Sequence, residues 1–306
     1  ILSVIATEFA KDEKGIFDFI NGTFYAYQYD PRNIVNVVNN VIAFLIAENM
    51  IFNKDGQLMA TKFGKRVSEL YIDPISAVII RDAIVKVKNV DVTPLSLLHL
   101  VCHTPDMPKL YLRRKDYREI DLFIDEHYEE LLSNVPDPEE DPYEYEFFMA
   151  EVKTAKLILD WIEEVSEDNL IKKYDVGSGD ILRIMENAEW ILHATYELCR
   201  LFKVIKVAPF IWKLLKRVKN GVKEELLELV ELEGIGRVRA RMLYNSGIRR
   251  IEDLKKIKIQ KLISIPFIGK EIARKIKEQV GGTFTLEEWE KIKSPSKEEQ
   301  KSLSDF

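Results

Sequence analysis

The chain has 306 residues, 46% hydrophobic and 31% charged, with a formal net charge of −6. That length suits two or three domains, and so large an apolar fraction excludes an intrinsically disordered chain. Its longest apolar run, near Val35–Ile51, is broken by Asn36, Asn39, Asn40 and Glu48, which excludes a membrane-spanning helix.

Residues 1–72 read as two helices, a hairpin and a third helix. In "YDPRNIVNVVNNVIAFLIAENMI", Asp30 is the expected N-cap and Pro31 the first helical residue, with Ile34, Val37, Val38, Val41, Ile42 and Leu45 at helical spacing. "IFNKDGQLMAT" reads as two short strands around an Asp55-Gly56 turn, and "TKFGKRVSELYI" returns to helix. Helices closed by a small hairpin predict a winged helix. Such units often mediate protein contacts only, so this one does not by itself imply nucleic acid.

Residues 73–202 read as a helical bundle. Asp73-Pro74 and Thr93-Pro94 open helices, and "PDPEEDPYEYE" marks an acidic, proline-rich loop. In "EVKTAKLILDWIEEV", Val152, Ala155, Leu159 and Ile162 fall on one predicted face. His99, Cys102 and His103 lie close together, but without a second ligand cluster they read as an apolar helix end, and no metal is expected. Cys102 and Cys199 sit in apolar runs and read as reduced core thiols. With no signal-like start, the expected location is the cytoplasm. The start at Ile1, without methionine, reads as a segment of something longer.

The last helix of this bundle, "SGDILRIMENAEWILHATYELCRLF", expects Ser178 or Asp180 as N-cap. Ile181, Ile184, Met185, Ala188, Ile191, Leu192, Thr195, Leu198, Cys199 and Phe202 fall on one core face. Trp190 points about 150° away from that face, and Arg183, two turns earlier, lies within about 20° of it. An outward tryptophan with an arginine on the same flank either packs on a neighbouring domain or stacks against bases.

Residues 203–282 read as a connecting helix and a helix-hairpin-helix pair. Charge is unevenly distributed: Asp121–Glu151 holds twelve acidic residues and no Lys or Arg, whereas Leu201–Gly282 holds twenty Lys and Arg against nine acids. A basic module in an acidic chain suggests localised contact with a polyanion, although a solvated basic face would look the same. "LVELEGIGRVRARMLYNSGI" and "LISIPFIGKEIARKIKEQVG" align with Gly236 over Gly269 and Ala240 over Ala273. Each unit reads as an apolar helix, a tight turn and a second helix. Gly234 and Gly236 fit positive φ or close backbone approach, and the free amides after them favour a phosphate, beside Arg237, Arg239 and Arg241. The second unit, with Pro266 and Phe267 in its turn, reads as structural. Residues 283–306 form a polar tail in which Gln300, Leu303 and Phe306 stand at Q-x-x-L-x-x-F spacing.

Taken together, "GDILRIMENAEW" and "RVKNGVKEELLELVELEGIGRVRARMLYNSGI" resemble the archaeal Hjm family of superfamily 2 DNA helicases, relatives of the helicase part of DNA polymerase theta. The resemblance extends over essentially the whole chain. It implies a mainly α fold: winged helix, seven-helix ratchet bundle and C-terminal helix-hairpin-helix domain. It implies that Arg183 and Trp190 stack on a translocating 3′ strand, and that Arg239, Ala240 and Arg241 touch the emerging strand and restrain unwinding. It further implies ATP-dependent 3′–5′ unwinding of single-stranded and forked DNA at stalled forks, in repair and recombination, and nucleoid association. The tail spacing resembles the peptide by which replication proteins dock on the PCNA sliding clamp. No G-x-x-x-x-G-K-[ST] run occurs, and "DEHY" at 125–128 is a poor Asp-Glu-x-His box. ATP, Mg²⁺ and both RecA-like motor domains are therefore expected outside this chain, which has no catalytic residues of its own. Two rival readings remain: a helix-hairpin-helix glycosylase, for which no catalytic Lys or Asp signature accompanies either hairpin, and an RNA-helicase accessory or interaction scaffold with a similar bundle.

Overall fold

A computed structural model describes residues 1–30, 34–87 and 92–282. In chain order the helices are α1 (Leu2–Ala6), α2 (Glu13–Asn21), α3 (Phe24–Gln28), α4 (Val35–Ala47), α5 (Lys62–Leu70), α6 (Pro74–Lys86), α7 (Pro94–His103), α8 (Asp116–His127), α9 (Pro142–Ile162), α10 (Glu167–Tyr174), α11 (Ser178–Leu201), α12 (Ala208–Asn220), α13 (Arg237–Asn245), α14 (Ile251–Lys256), α15 (Ile259–Ile263) and α16 (Lys270–Gln279). The strands β1 (Ile51–Lys54) and β2 (Gln57–Ala60) lie between α4 and α5. The fold is mainly α. The tail carrying Gln300, Leu303 and Phe306 lies outside the described residues.

The hairpin follows from its turn. Asp55 and Gly56 both take positive φ (52° and 84°), as a two-residue primed turn requires, and Asn53 Oδ1 accepts the Gly56 N–H at 3.0 Å. This fixes the antiparallel register Ile51↔Ala60 to Lys54↔Gln57. Thr61, Asp73, Thr93 and Asp141 cap α5, α6, α7 and α9 through their side chains. The described part of the fourth helix, α4, spans Val35–Ala47, and the expected start at Pro31 lies outside the described residues.

Helix α9 departs from the one-face expectation. Val152, Ala155 and Ile162 are buried, but so are Glu151, Lys153, Thr154, Leu157 and Ile158, and Leu159 is only half-buried. It is a central helix, packed by α7, α8, α10 and α12. Its buried polar groups are each satisfied: Lys153 Nζ meets Asp116 Oδ2 at 2.6 Å, Glu151 Oε2 meets His103 Nδ1 at 2.8 Å, and Thr154 Oγ1 accepts the Leu110 N–H at 2.9 Å.

The His99, Cys102 and His103 group lies at the C-terminal end of α7. His99 and Cys102 are buried, and no metal-competent cluster exists among the described residues. Burial pulls the His99 pKa down to about 3, with a smaller push from neighbouring His103. It outweighs the Glu151 carboxylate, which is 3.9 Å away and bonded to His103. The unfolded chain therefore binds a proton at His99 below about pH 6.5, while the folded one does not until near pH 3. Stability is full above pH 6.5 and falls as pH drops towards 3. Between pH 7 and 5 this single group is expected to cost about 2 kcal/mol. Urea unfolding at both pH values should show the loss, and His99→Gln should flatten it. An equal loss in the variant would mean that another group titrates.

Two large cores and one small cluster organise the described residues, the small one joining α8 to α9 through Ile120, Ile124, Phe148, Met149 and Val152. The first unites α1, α2, α4, the hairpin and α5–α7 with α9–α12, including Ile211, Leu214, Leu215 and Val218. The connecting helix α12 thus packs in the bundle, against α11 and α9. The second core begins at Val222 and holds only the hairpin pair.

Candidate nucleic-acid interface

Helix α11 runs 24 residues through the bundle and presents the first candidate pair. Its N-cap is Gly177 rather than Ser178 or Asp180; Asp180 sits one turn in and accepts the Gly177 N–H at 3.2 Å. The expected core face is realised, with Ile181, Ile184, Met185, Ala188, Ile191, Leu192, Thr195, Leu198 and Cys199 buried. Phe202, just past the helix, is half-buried edge-on to Phe63. Arg183 stands on the solvent side, its side chain 65% exposed, with one long contact of 3.8 Å to Asp180.

Trp190 is not a freely exposed ring. It is half-buried against the first core, and its Nε1–H donates to the Leu70 carbonyl at 2.9 Å. Leu70 ends α5, where carbonyls lack intrahelical partners, and Tyr71 stops that helix in the left-handed conformation (φ 58°) with an exposed ring. Trp190 therefore sits in the seam between the winged helix and the bundle. Its direction was legible from periodicity, but the domain that meets it there was not.

The hairpin module shows the tandem repeat, with one difference in its first unit. The segment before the first turn is two short 3₁₀ turns, Glu224–Leu226 and Leu229–Glu231, rather than an α-helix. Gly234 needs its residue type, at φ +81°, and Phe267 takes φ 64° at the matching place in the second turn. Gly236 does not: it is the N-cap of α13 at φ −87°, and an added Cβ would meet nothing within 4 Å. Space above Gly236 is open to a ligand. Helix α13 has no acid in its first turn and no side-chain cap, whereas α16 carries Glu271 there. The dipole and free amides thus favour an anion more at the first hairpin than at the second.

The three arginines are engaged within the protein. The Arg237 guanidinium stacks over Trp161 at 4.3 Å, and burial pulls its pKa below the ordinary value. Arg239 bridges the two turns, donating to Phe267 O at 3.0 Å and Gly234 O at 2.8 Å. Arg241 makes a forked pair with Glu164 (2.7 and 2.6 Å) and reaches Glu225 at 2.9 Å, which together raise its pKa. Arg237 and Arg241 line a cleft of about 460 Å³ between the module and α10, whose far wall carries Glu164, Glu167 and Asp168. In this arrangement these two side chains bind the bundle, and a phosphate would have to displace Glu164 to reach Arg241.

Freely available positive charge lies elsewhere. Arg250, Lys255, Lys256, Lys258 and Lys261 are exposed and make no salt bridge among the described residues. They cluster on α14 and the start of α15. The run "RRIEDLKKIKIQK" was the available signal; it contributed to the count of basic residues but was not singled out.

Comparison with known proteins places both modules. Residues 95–221 match the family described as "Archaeal helicase, domain 4", and residues 226–281 match "SAM-like Helix-hairpin-helix tandem". The two ranges meet where the two cores divide. The chain is 43% identical over 282 residues to the ATP-dependent DNA helicase Hel308 of Methanocella arvoryzae, covering 92% of this chain and 38% of that protein. It is 36% identical over 299 residues to the Thermococcus kodakarensis protein of the same name (96% and 26%), and 39% identical over 285 residues to that of Methanocaldococcus jannaschii (93% and 22%). The chain thus spans well under half the length of these relatives. No helix among the described residues is long and apolar enough to cross a membrane.

Proposed function

The chain belongs to the archaeal Hel308-type helicase family, and on that premise we propose that it is the part of an ATP-dependent 3′–5′ DNA helicase that binds and guides single-stranded DNA. Forked or stalled replication DNA is the substrate, in repair and recombination, and the protein works at the nucleoid. The observation that carries this reading is Arg183. It is exposed and nearly unpaired, and it lies on the flank of α11 that also bears Trp190. A rigid helix offering a guanidinium and an indole two turns apart suits stepwise contact with bases and phosphates. The open N-terminus of α13 at Gly236 supplies a phosphate contact further along the strand, with Gly234 shaping the turn. Arg237 positions the module on the bundle, while Arg239 and Arg241 meet the strand as their internal partners exchange.

ATP and Mg²⁺ have no fitting donor set here. The first hairpin turn is followed by Arg237-Val238 instead of Lys-Ser or Lys-Thr, and the described residues hold no cluster of three metal-ligating side chains. Nucleotide turnover belongs to the RecA-like motor domains, which we place outside this chain.

Fluorescence anisotropy with a labelled DNA strand and the matched RNA strand tests the reading. Arg183→Ala should weaken DNA binding by about 1–2 kcal/mol and lower the salt slope by about one. Unchanged binding would overturn it. Equal affinity for RNA would favour the RNA-helicase accessory or scaffold reading instead.

The motif Gln300, Leu303 and Phe306 supports a second contact, with the PCNA sliding clamp. Leu303 and Phe306 would share one side of a helical turn and fill an apolar pocket, with Gln300 at its edge. A 293–306 peptide should bind the clamp with Kd on the order of micromolar and lose binding with Phe306→Ala. Calorimetric silence at high clamp concentration, beside a positive control, would remove this partner.

A further inference from the structure

We propose that Tyr111 is an additional stacking platform for the bound single strand, on the opposite wall of the cleft from Arg183. The inference rests on the strand-guiding reading above and extends it to a residue outside the two candidate groups. Loop 108–113 and the start of α11 enclose a cleft of about 280 Å³, lined by Tyr111 and Arg113 on one side and by Asp180 and Arg183 on the other. Tyr111 is 91% exposed, and its side chain makes no hydrogen bond or ring-stacking contact with the described residues.

A lone exposed tyrosine is unremarkable on a mobile loop, but the backbone under this one is fixed at three points. The Leu110 N–H donates to Thr154 Oγ1 at 2.9 Å, the Tyr111 carbonyl accepts from Lys153 Nζ at 2.7 Å, and the Arg113 N–H donates to Asp116 Oδ2 at 2.9 Å. Lys153 is only 2% exposed, and Asp116, with its carboxyl held below the usual range, is its partner. Burying a lysine and an aspartate is costly unless their bonds are complete. Here Lys153 is bonded to both Asp116 and the Tyr111 carbonyl, so the pair holds still the main chain of a residue whose side chain is exposed. A flat ring on a fixed backbone loses little freedom when a base stacks on it.

The charges around the cleft fit the same ligand. Arg113 pairs with Asp175, and Arg183 has Asp180 at 3.8 Å, but all four side chains are about half exposed or more. Such pairs are weak and screened, so both guanidiniums can turn to phosphates. Arg114 and Lys115 follow on the exposed rim. A strand entering here would place a base on Tyr111 and its backbone along Arg113 and Arg183.

The test compares three variants in single-strand binding at several salt concentrations. Tyr111→Ala should raise Kd on the order of tenfold, the loss expected for one stacked base, with the salt slope unchanged because no charge is removed. Tyr111→Phe should bind like wild type. An abasic site placed at the contacted nucleotide should weaken wild type and leave Tyr111→Ala no weaker than before. If Arg183→Ala weakens binding and Tyr111→Ala does not, the platform is refuted and strand guiding stands. If neither weakens it, both fail. A full effect in Tyr111→Phe would also refute stacking, since the ring is retained.

Discussion

Replacing Trp161 with alanine is expected to uncouple the hairpin module from the bundle while leaving each folded. Trp161 lies one residue from the end of α9 and holds three things at once. Its Nε1–H donates to the Val218 carbonyl at 2.8 Å, near the end of α12. Its ring lies against Gly221, where an added Cβ would stand 2.6 Å from Cε2. The Arg237 guanidinium, at the first residue of α13, stacks over it at 4.3 Å. Removing the ring loses packing, one hydrogen bond and a cation–π contact, about 2–4 kcal/mol in all. What remains across the junction is mostly ionic: Arg241 to Glu164 and Lys223 to Glu163. The Lys223 pair is partly exposed and contributes little, so the Arg241 fork is the main ionic hold that remains. Because the two cores share no side chains, neither module depends on the other for its interior. Calorimetry should show one unfolding transition divide into two, and protease should cut near 219–223. Long single strands should bind on the order of tenfold more weakly, since two linked contacts lose their shared geometry, while oligonucleotides that reach only one module should be unaffected. Gly221→Ala should give the same result from the other side, because φ is +62° there and the new methyl meets the ring. A single unchanged transition in both variants would show that the ion pairs carry the junction.

Local signals and long-range contacts differ sharply in how far sequence reaches them. The helix starts at Asp73 and Thr93, the Asp55-Gly56 turn and the core stripe of α11 depend on neighbours a few residues away, and each was legible. So was the repeat that puts Gly234 and Phe267 in matching left-handed positions, although Phe267 hid the equivalence. The role of Trp161 was hidden, because its partners are Val218, Gly221 and Arg237, more than fifty residues on. The same holds for Arg241, whose sequence neighbours suggest a phosphate site while Glu164 occupies its fork. Tyr111 was missed for another reason. Its loop has no periodicity, and what fixes it are buried bonds from α9, which periodicity analysis reads as solvent-facing charge.

Trp190→Ala is expected to produce two losses where the sequence suggested one. The ring fills the seam between the winged helix and the bundle, so its removal should lower stability by about 2–4 kcal/mol. The remaining exposed part of the indole is the surface available to a base, and its removal should weaken single-strand binding by about 1–3 kcal/mol. Trp190→Phe separates the two. Phenylalanine keeps a stacking face but loses the N–H, leaving the Leu70 carbonyl at the end of α5 without that donor. That should cost about 1 kcal/mol of stability, with most of the binding retained. Binding is best measured well below the lowered midpoint, so that unfolded protein does not imitate weak affinity. If Trp190→Ala loses stability but binds DNA like wild type, the indole serves only the seam. Arg183 would then be the sole contact that α11 makes with the strand, and stepping by paired side chains on one helix would have to be abandoned.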